Sequence, residues 1–252
     1  PPDTFPHRFI IKVDSLGYWD SSFVPDAKGS PDGFAPYDSN RIWVYGNPFF
    51  FTHYDGVRVN GLCRIYHDGR LDTTFKNPIL PVIINYTFPV GIPEFTESDG
   101  GFFMRGFFAL GSDSSNARRL ARFHADGSLD TTFAFATPEV TNNVNVTAAV
   151  TSLVPTTDSL DQGYLVVGNF NQYQGHPTSN LVKVDSVGKL VSNYYNGKGA
   201  DSTTLITAPE LPGRIHRIIA SKFGGYYVVG DWRYWDGKPS QPIVRLKEVN
   251  PV

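Results

Sequence analysis

The apolar positions of this chain fall in short runs separated by clusters of Gly, Asp, Asn and Pro. Ile42-Trp43-Val44-Tyr45, Tyr164-Leu165-Val166-Val167 and Tyr226-Tyr227-Val228-Val229 are examples, and each is apolar at successive positions rather than at every second one. Runs this short, rich in β-branched and aromatic residues and bounded by turn formers, predict strands. Apolar character at successive positions predicts strands covered on both faces. No window carries a convincing helical period.

The runs recur. Ile65-Tyr66-His67-Asp68-Gly69-Arg70-Leu71-Asp72-Thr73-Thr74-Phe75 returns from Phe123 to Phe133, with degenerate copies from Val13 to Phe23 and from Val184 to Leu190. The turn glycines Gly17, Gly69, Gly127 and Gly188 are separated by 52, 58 and 61 residues. A second marker, the apolar run closed by Gly46, Gly106, Gly168 and Gly230, has spacings of 60, 62 and 62. Two independent markers with one period define a repeat, with units at roughly 9–61, 62–119, 120–180 and 181–242 and a partial unit at 243–252.

Each unit predicts a small antiparallel sheet. One strand precedes the Gly-ended run (Val146–Val150, Ile215–Ile219) and another follows it (Asn180–Val184, Pro242–Leu246). The Asp-Gly-x-Leu-Asp turn then leads into a short fourth. Tight hairpin turns are expected at Asp161-Gln162-Gly163 and Gly224-Gly225. Three or four strands at this period predict propeller blades rather than solenoid coils. The expected fold class is therefore all-β, a β-propeller or propeller segment, forming a single repeat domain over 1–252 that is part of a longer protein or assembly. The strand before the turn occurs five times and the Gly-ended strand four times. That phase predicts about five blade positions, two of them incomplete, or a section of a larger ring, with a compact four-blade ring as the alternative.

The pattern resembles the delta-60 repeat proteins. The residues that carry the resemblance are the Asp-Gly-x-Leu-Asp-x-x-Phe turn and the later segments Gly168-Asn169-Phe170-Asn171-Gln172-Tyr173-Gln174-Gly175 and Gly230-Asp231-Trp232-Arg233-Tyr234-Trp235-Asp236-Gly237. The resemblance implies a propeller-like fold on bacterial surface proteins, particularly of Bacteroidota, or on phage tails, and it implies no activity. The second unit departs from the pattern, because Phe107-Phe108-Ala109-Leu110-Gly111 lacks the Phe-x-x-Tyr-x-Gly spacing.

Composition narrows the function. Only 18% of residues are charged, the net charge is −2, and no Lys/Arg run is present, which argues against nucleic acid as a partner. Cys63 is the single cysteine, so neither an intrachain disulfide nor a cysteine zinc site is available. No apolar stretch is long enough for a membrane-spanning helix. An opening at Pro1-Pro2-Asp3, without Met or leader, is expected of a mature, processed or partial chain.

The turn aspartates Asp68, Asp72, Asp126 and Asp130 suit either calcium or a capped tight turn, and the turn is the expected reading. His7, His53, His67, His124, His176 and His216 fall at different phases of the repeat, so no metal or cofactor is expected. No catalytic signature orders the Ser, His and Asp residues, and a non-enzyme is expected. Asn85-Tyr86-Thr87, Asn145-Val146-Thr147 and triplets such as Asp14-Ser15-Leu16 and Asp158-Ser159-Leu160 are candidate glycosylation sites. Connections 46–56, 168–175 and 230–237 are expected on one face, and they supply the candidate binding residues Phe49, Phe50, His53, Gln172, Arg233 and Tyr234. The expected function is an extracellular or cell-surface recognition or scaffolding module, lipid-anchored through sequence elsewhere or carried on a virion. Its expected partners are a protein of the same assembly, or a glycan. The alternatives are a glycan-active enzyme with carboxylates in a propeller funnel and a purely architectural domain.

Overall fold

The repeat pattern becomes backbone through four three-stranded antiparallel sheets, each with its Gly-ended strand in the middle. The computed structural model describes residues 9–79, 90–110, 117–134, 148–156, 162–191, 199–201 and 213–247. The first sheet is β2 (Gly33–Pro36), β3 (Arg41–Tyr45) and β6 (Leu62–Tyr66), and the second is β7 (Val90–Thr96), β8 (Phe102–Ala109) and β9 (Ala117–Phe123). The third is β10 (Ala149–Pro155), β11 (Gly163–Asn169) and β14 (Leu181–Asp185), and the fourth is β16 (Arg214–Ala220), β17 (Tyr226–Asp231) and β20 (Ile243–Leu246). No helix occurs among the described residues. The expected all-β architecture of blade-like sheets is observed.

Small hairpins stand beside three of these sheets, where the sequence suggests loops. They are β4 (His53–Tyr54) with β5 (Val57–Arg58), β12 (Gln172–Tyr173) with β13 (His176–Pro177), and β18 (Tyr234–Trp235) with β19 (Lys238–Pro239). Each closes on two residues with positive φ, Asp55-Gly56, Gln174-Gly175 and Asp236-Gly237. This is the type I′ turn whose twist matches that of the flanking strands. β1 (Ala27–Lys28) adds a third strand to the first hairpin and β15 (Ala200–Asp201) adds one to the last.

The expected fourth strand shrinks to single bridges, Val13↔Trp19, Ile65↔Leu71, Phe123↔Leu129 and Val184↔Leu190. The Asp72 amide makes the last cross-strand bond, to the Arg64 carbonyl, and the Asp72 carboxylate then takes the Thr74 amide at 3.0 Å as the chain turns away. In the second repeat unit, where the Phe-x-x-Tyr-x-Gly spacing is missing, β8 runs on past Gly106 to Ala109. The turn at Asp161, the sequons at Asn85 and Asn145 and the triplet at Asp158 involve residues outside those described.

The chain divides into two compact units, residues 1–118 with 122–130 and residues 119–121 with 131–252. In the first, Val44, Ile65, Phe51, Tyr54, Ile10 and Phe23 share a core, and buried Trp43 meets Phe102 at 4.6 Å and Phe75 at 4.8 Å between ring centroids. In the second, Leu165, Val167 and Leu181 of the third sheet pack on Ile215, Ile218, Tyr226, Val228 and Leu246 of the fourth. Gly168 is required by this geometry, since a Cβ there would lie 2.0 Å from the Ala149 carbonyl oxygen.

Candidate functional site

The most chemically loaded feature grows from the Asp-Gly turn. Asp68 Oδ1 accepts the Arg70 amide at 3.1 Å, and Asp126 Oδ1 accepts the Ser128 amide at 2.8 Å. Asp14 and Asp185, three residues ahead of their glycines, cap the same turn by accepting two amides each. The first aspartate of the motif is thus a turn cap.

The second aspartate has a larger role. A basic residue stands eight positions before it in three copies, giving Lys12–Asp20 at 2.9 Å, Arg64–Asp72 at 2.6 Å and Arg122–Asp130 at 3.0 Å. The main chain sets the spacing, since the Asp20, Asp72 and Asp130 amides donate to the Lys12, Arg64 and Arg122 carbonyls. Asp72 also accepts from Arg41 Nη1 at 2.9 Å and from Thr74 Oγ1 at 2.6 Å. Burial alone would raise the Asp72 pKa, but Thr74, Arg41 and Arg64 outweigh it and hold the carboxyl at about 2. A carboxylate so saturated by donors is built for an ion pair, not for calcium. Among the described residues, no group of three or more His, Cys, Asp or Glu side chains is placed to hold a metal.

Beside Arg64, in the first compact unit, lies a polar cleft of about 450 Å³ whose lining includes Tyr37, Asp38, Arg41, Glu97, Asp99 and Asp126. Arg64 forms part of its wall, donating to the Ala125 carbonyl at 2.8 Å with its guanidinium carbon 4.2 Å from the centroid of the Tyr37 ring. Tyr37 donates from its hydroxyl to the Gly100 carbonyl at 3.0 Å. Arg41 grips Asp38 through Nε at 2.9 Å and Nη2 at 2.6 Å, and Arg122 holds Glu97. Partial burial pushes the Asp38 pKa up, yet the Arg41 and Asn40 hydrogen bonds leave it below the ordinary value. Asp126 is also lowered, chiefly by the Ser128 hydroxyl. Ionised carboxylates equip the cleft to accept hydrogen bonds from hydroxyl or ammonium groups. The Thr96 hydroxyl in its lining is buried and has no hydrogen-bond partner.

The candidate binding residues identified in the sequence lie on the hairpins and the adjoining loops. Asn47 organises the first connection, its side chain accepting the Phe49 amide and its carbonyl the Phe50 and Phe51 amides. Phe51 is fully buried, while Phe49 and Phe50 are 37% and 63% exposed. His53 is half-buried in β4, with Nδ1 3.0 Å from Thr52 Oγ1. In the second unit Gln172 is half-buried in β12, and Arg233 and Tyr234 sit together at the start of the last hairpin, the first exposed and the second half-buried. Tyr173, Tyr54 and Phe170 are buried, as their repeat columns imply. The hairpins are tied to the turns: Asp55 accepts the Leu71 amide and Gln174 the Leu190 amide, both at 2.9 Å.

Sheets with a central Gly-ended strand, repeated at one period and joined by capped Asp-Gly turns, place the chain in the β-propeller class of repeat proteins. A family model described as "Domain of unknown function (DUF5122) beta-propeller" matches residues 50–75 and 106–133, two segments that each end in the Asp-Gly-x-Leu-Asp turn. Searches of curated proteins and of solved structures returned no match to the chain. Among the described residues, no helix is long and apolar enough to cross a membrane.

Proposed function

We propose that the protein is a non-catalytic recognition or scaffolding module, working outside the cell as a subunit of a bacterial surface complex or a phage tail. The observation that carries this reading is the pair Phe49–Phe50. The repeat column holds one aromatic, Phe51, and buries it completely, whereas Phe49 of the inserted Asn47-Pro48-Phe49 and the adjoining Phe50 add two rings that stay in contact with solvent. Exposed aromatics on a turn fastened by Asn47 are suited to stacking on a sugar or seating in a protein pocket. Arg233 beside Tyr234 offers the residue types enriched at binding hot spots.

Alanine substitution of Phe49 and Phe50 tests the proposal by pull-down against surface polysaccharides and assembly proteins. Capture should fall by more than about tenfold with the melting temperature unchanged, as for a hot spot that carries little folding energy. Unaltered capture would assign both rings to covering the sheet edge. The rival reading, a glycan-active enzyme, draws on the carboxylates of the cleft, but Asp38 and Asp126 are held ionised, whereas glycoside hydrolysis needs one carboxyl kept protonated. Release of reducing ends from a polysaccharide, abolished by Glu97→Gln or Asp99→Asn, would favour it.

A further inference from the structure

The polar cleft of the first compact unit is built from residues that the other copies of the repeat lack. The ladders pair Pro36 with Ile42, Thr96 with Phe102, Pro155 with Tyr164 and Ala220 with Tyr226, which aligns the four hairpin turns lying between them. Arg41 then holds the place of Gly101, Gly163 and Gly225, and Tyr37 holds that of Glu97, Thr156 and Ser221. Three sheets form their turns with glycine where the first has Arg41, so the fold does not require the arginine. The cleft volume of about 450 Å³ falls in the range of small-molecule sites, about 300–1,000 Å³.

The charges of its lining do not balance. Asp38, Glu97, Asp99 and Asp126 stand against Arg41 and Arg64, and both guanidiniums are already shared with Asp72. The excess of two negative charges is as large as the net charge of the whole chain, −2. Asp38 is closed off, its Oδ1 accepting the Asn40 and Arg41 amides and its Oδ2 the Arg41 guanidinium. Asp99 and Asp126 remain open. Each spends Oδ1 on its own turn, the first on the Gly101 amide and the second on Ser128, and its Oδ2 meets no donor among the described residues. The two turns touch, since a Cβ on Gly100 would lie 3.1 Å from the Cβ of Ala125. In the same lining the Thr96 hydroxyl is buried without a partner, and the three bonds from Arg41 to Asp38 and Asp72 leave it further N–H groups.

We infer that this cleft binds an amino sugar, with its ammonium group between the open oxygens of Asp99 and Asp126. An ammonium only donates hydrogen bonds, which suits two carboxylate oxygens without donors, and it cancels charge that a neutral sugar would leave standing. Anionic ligands meet the same excess as repulsion. A metal ion does not suit, because the described residues include no group of three His, Cys, Asp or Glu placed to ligate one. The carrier is a sugar rather than a lysine side chain. No aliphatic side chain larger than Ala125 lines the cleft, and the Tyr37 ring already has Arg64 and Arg41 over it at 4.2 and 4.7 Å. An alkyl stem therefore finds nothing apolar to lie on, whereas ring hydroxyls find Ser98, Thr96 and the remaining N–H groups of Arg41. Neither Phe49 nor Phe50 lines the cleft, so this site stands apart from the aromatic turn.

Isothermal titration of the full chain with D-glucosamine, N-acetyl-D-glucosamine and D-glucose tests the inference, at about pH 6 where the amine is protonated. Glucosamine should bind at least about fivefold more tightly than the other two, and less tightly as salt is added. Asp99→Asn combined with Asp126→Asn should abolish that preference at an unchanged melting temperature, because asparagine keeps the Oδ1 acceptor that caps each turn. Phe49→Ala combined with Phe50→Ala should leave it intact. Equal binding of glucosamine and glucose, binding of neither, or a preference that survives the double asparagine change overturns the inference. So does a preference lost in the Phe49 and Phe50 variant, which would move the sugar to the aromatic turn. Tighter binding of Nα-acetyl-lysine amide than of glucosamine overturns it as well, in favour of a protein partner.

Discussion

The turn at 14–20 and the turn at 66–72 obey the same rules and are worth different amounts. Both have a glycine with positive φ, Gly17 and Gly69, and both pair a basic residue with an aspartate eight positions on. Lys12 and Asp20 keep 47% and 26% of their side-chain surface in water, whereas Arg64 and Asp72 keep 2% and 0%. Sequence spacing therefore makes the pair, and the surrounding sheets decide its energetic weight. Water screens the outer pair, while the inner pair has lost hydration that only its partners replace.

The largest effect should follow removal of one inner partner. Asp72→Ala strands Arg64 and should cost about 3–5 kcal/mol by chemical denaturation. Replacing Arg64 and Asp72 together with Met and Leu should recover much of that loss, because the pair's own desolvation then disappears. A single substitution as mild as the double one would show that Arg64 does not depend on Asp72.

Next in size is the glycine of the turn that follows the second sheet. A Cβ on Gly127 would lie 2.1 Å from the Lys76 carbonyl oxygen, while one on Gly17 would meet nothing within 4 Å. Gly17→Ala should cost only the left-handed penalty of about 1–2 kcal/mol, and Gly127→Ala clearly more. Equal midpoint shifts in urea would contradict the difference in packing.

The Asp20 carboxyl is likewise held at about 2, by Ser22 and Lys12, but a pair screened by water carries little stability, so acid should weigh mainly on the inner pair. The Asp72 carboxyl is held at about 2 against an ordinary 3.8, so its contribution is complete above pH 4 and drains away as pH falls from about 4 to 2. Asp72→Asn should flatten the stability curve across that window. The smallest effect belongs to the outer pair: Asp20→Asn should leave the denaturant midpoint essentially unmoved, and added salt should remove what difference remains.

Much of this was legible in the residues. The two period markers placed the central strands to within a residue or so of β3, β11 and β17, and burial of Trp43, Phe51, Phe170, Tyr54 and Tyr173 followed from their columns. The hairpins are harder to see, because two-residue strands leave no periodicity. Asp55-Gly56 and Asp236-Gly237 nevertheless carry the type I′ composition, and Gln174-Gly175 follows it in shape though not in sequence. The signal for the ion pairs is the fixed interval from Lys12, Arg64 and Arg122 to Asp20, Asp72 and Asp130, which shows only once the copies are aligned. The cleft left no such trace, since Asp38 and Arg41 come from one unit of the repeat and Glu97 and Asp99 from the next.

By itself the sequence determined the period, the strand order within each sheet, the turn chemistry and the partner of each repeated charge, all of them interactions between residues close along the chain. Tertiary structure alone decided which copies of a column are covered. Leu165 and Tyr227 sit at the same point of the same strand, yet one is sealed and the other is more than a third exposed. Whether a side chain leaves water depends on the sheet that lies against it, and no local pattern encodes that neighbour.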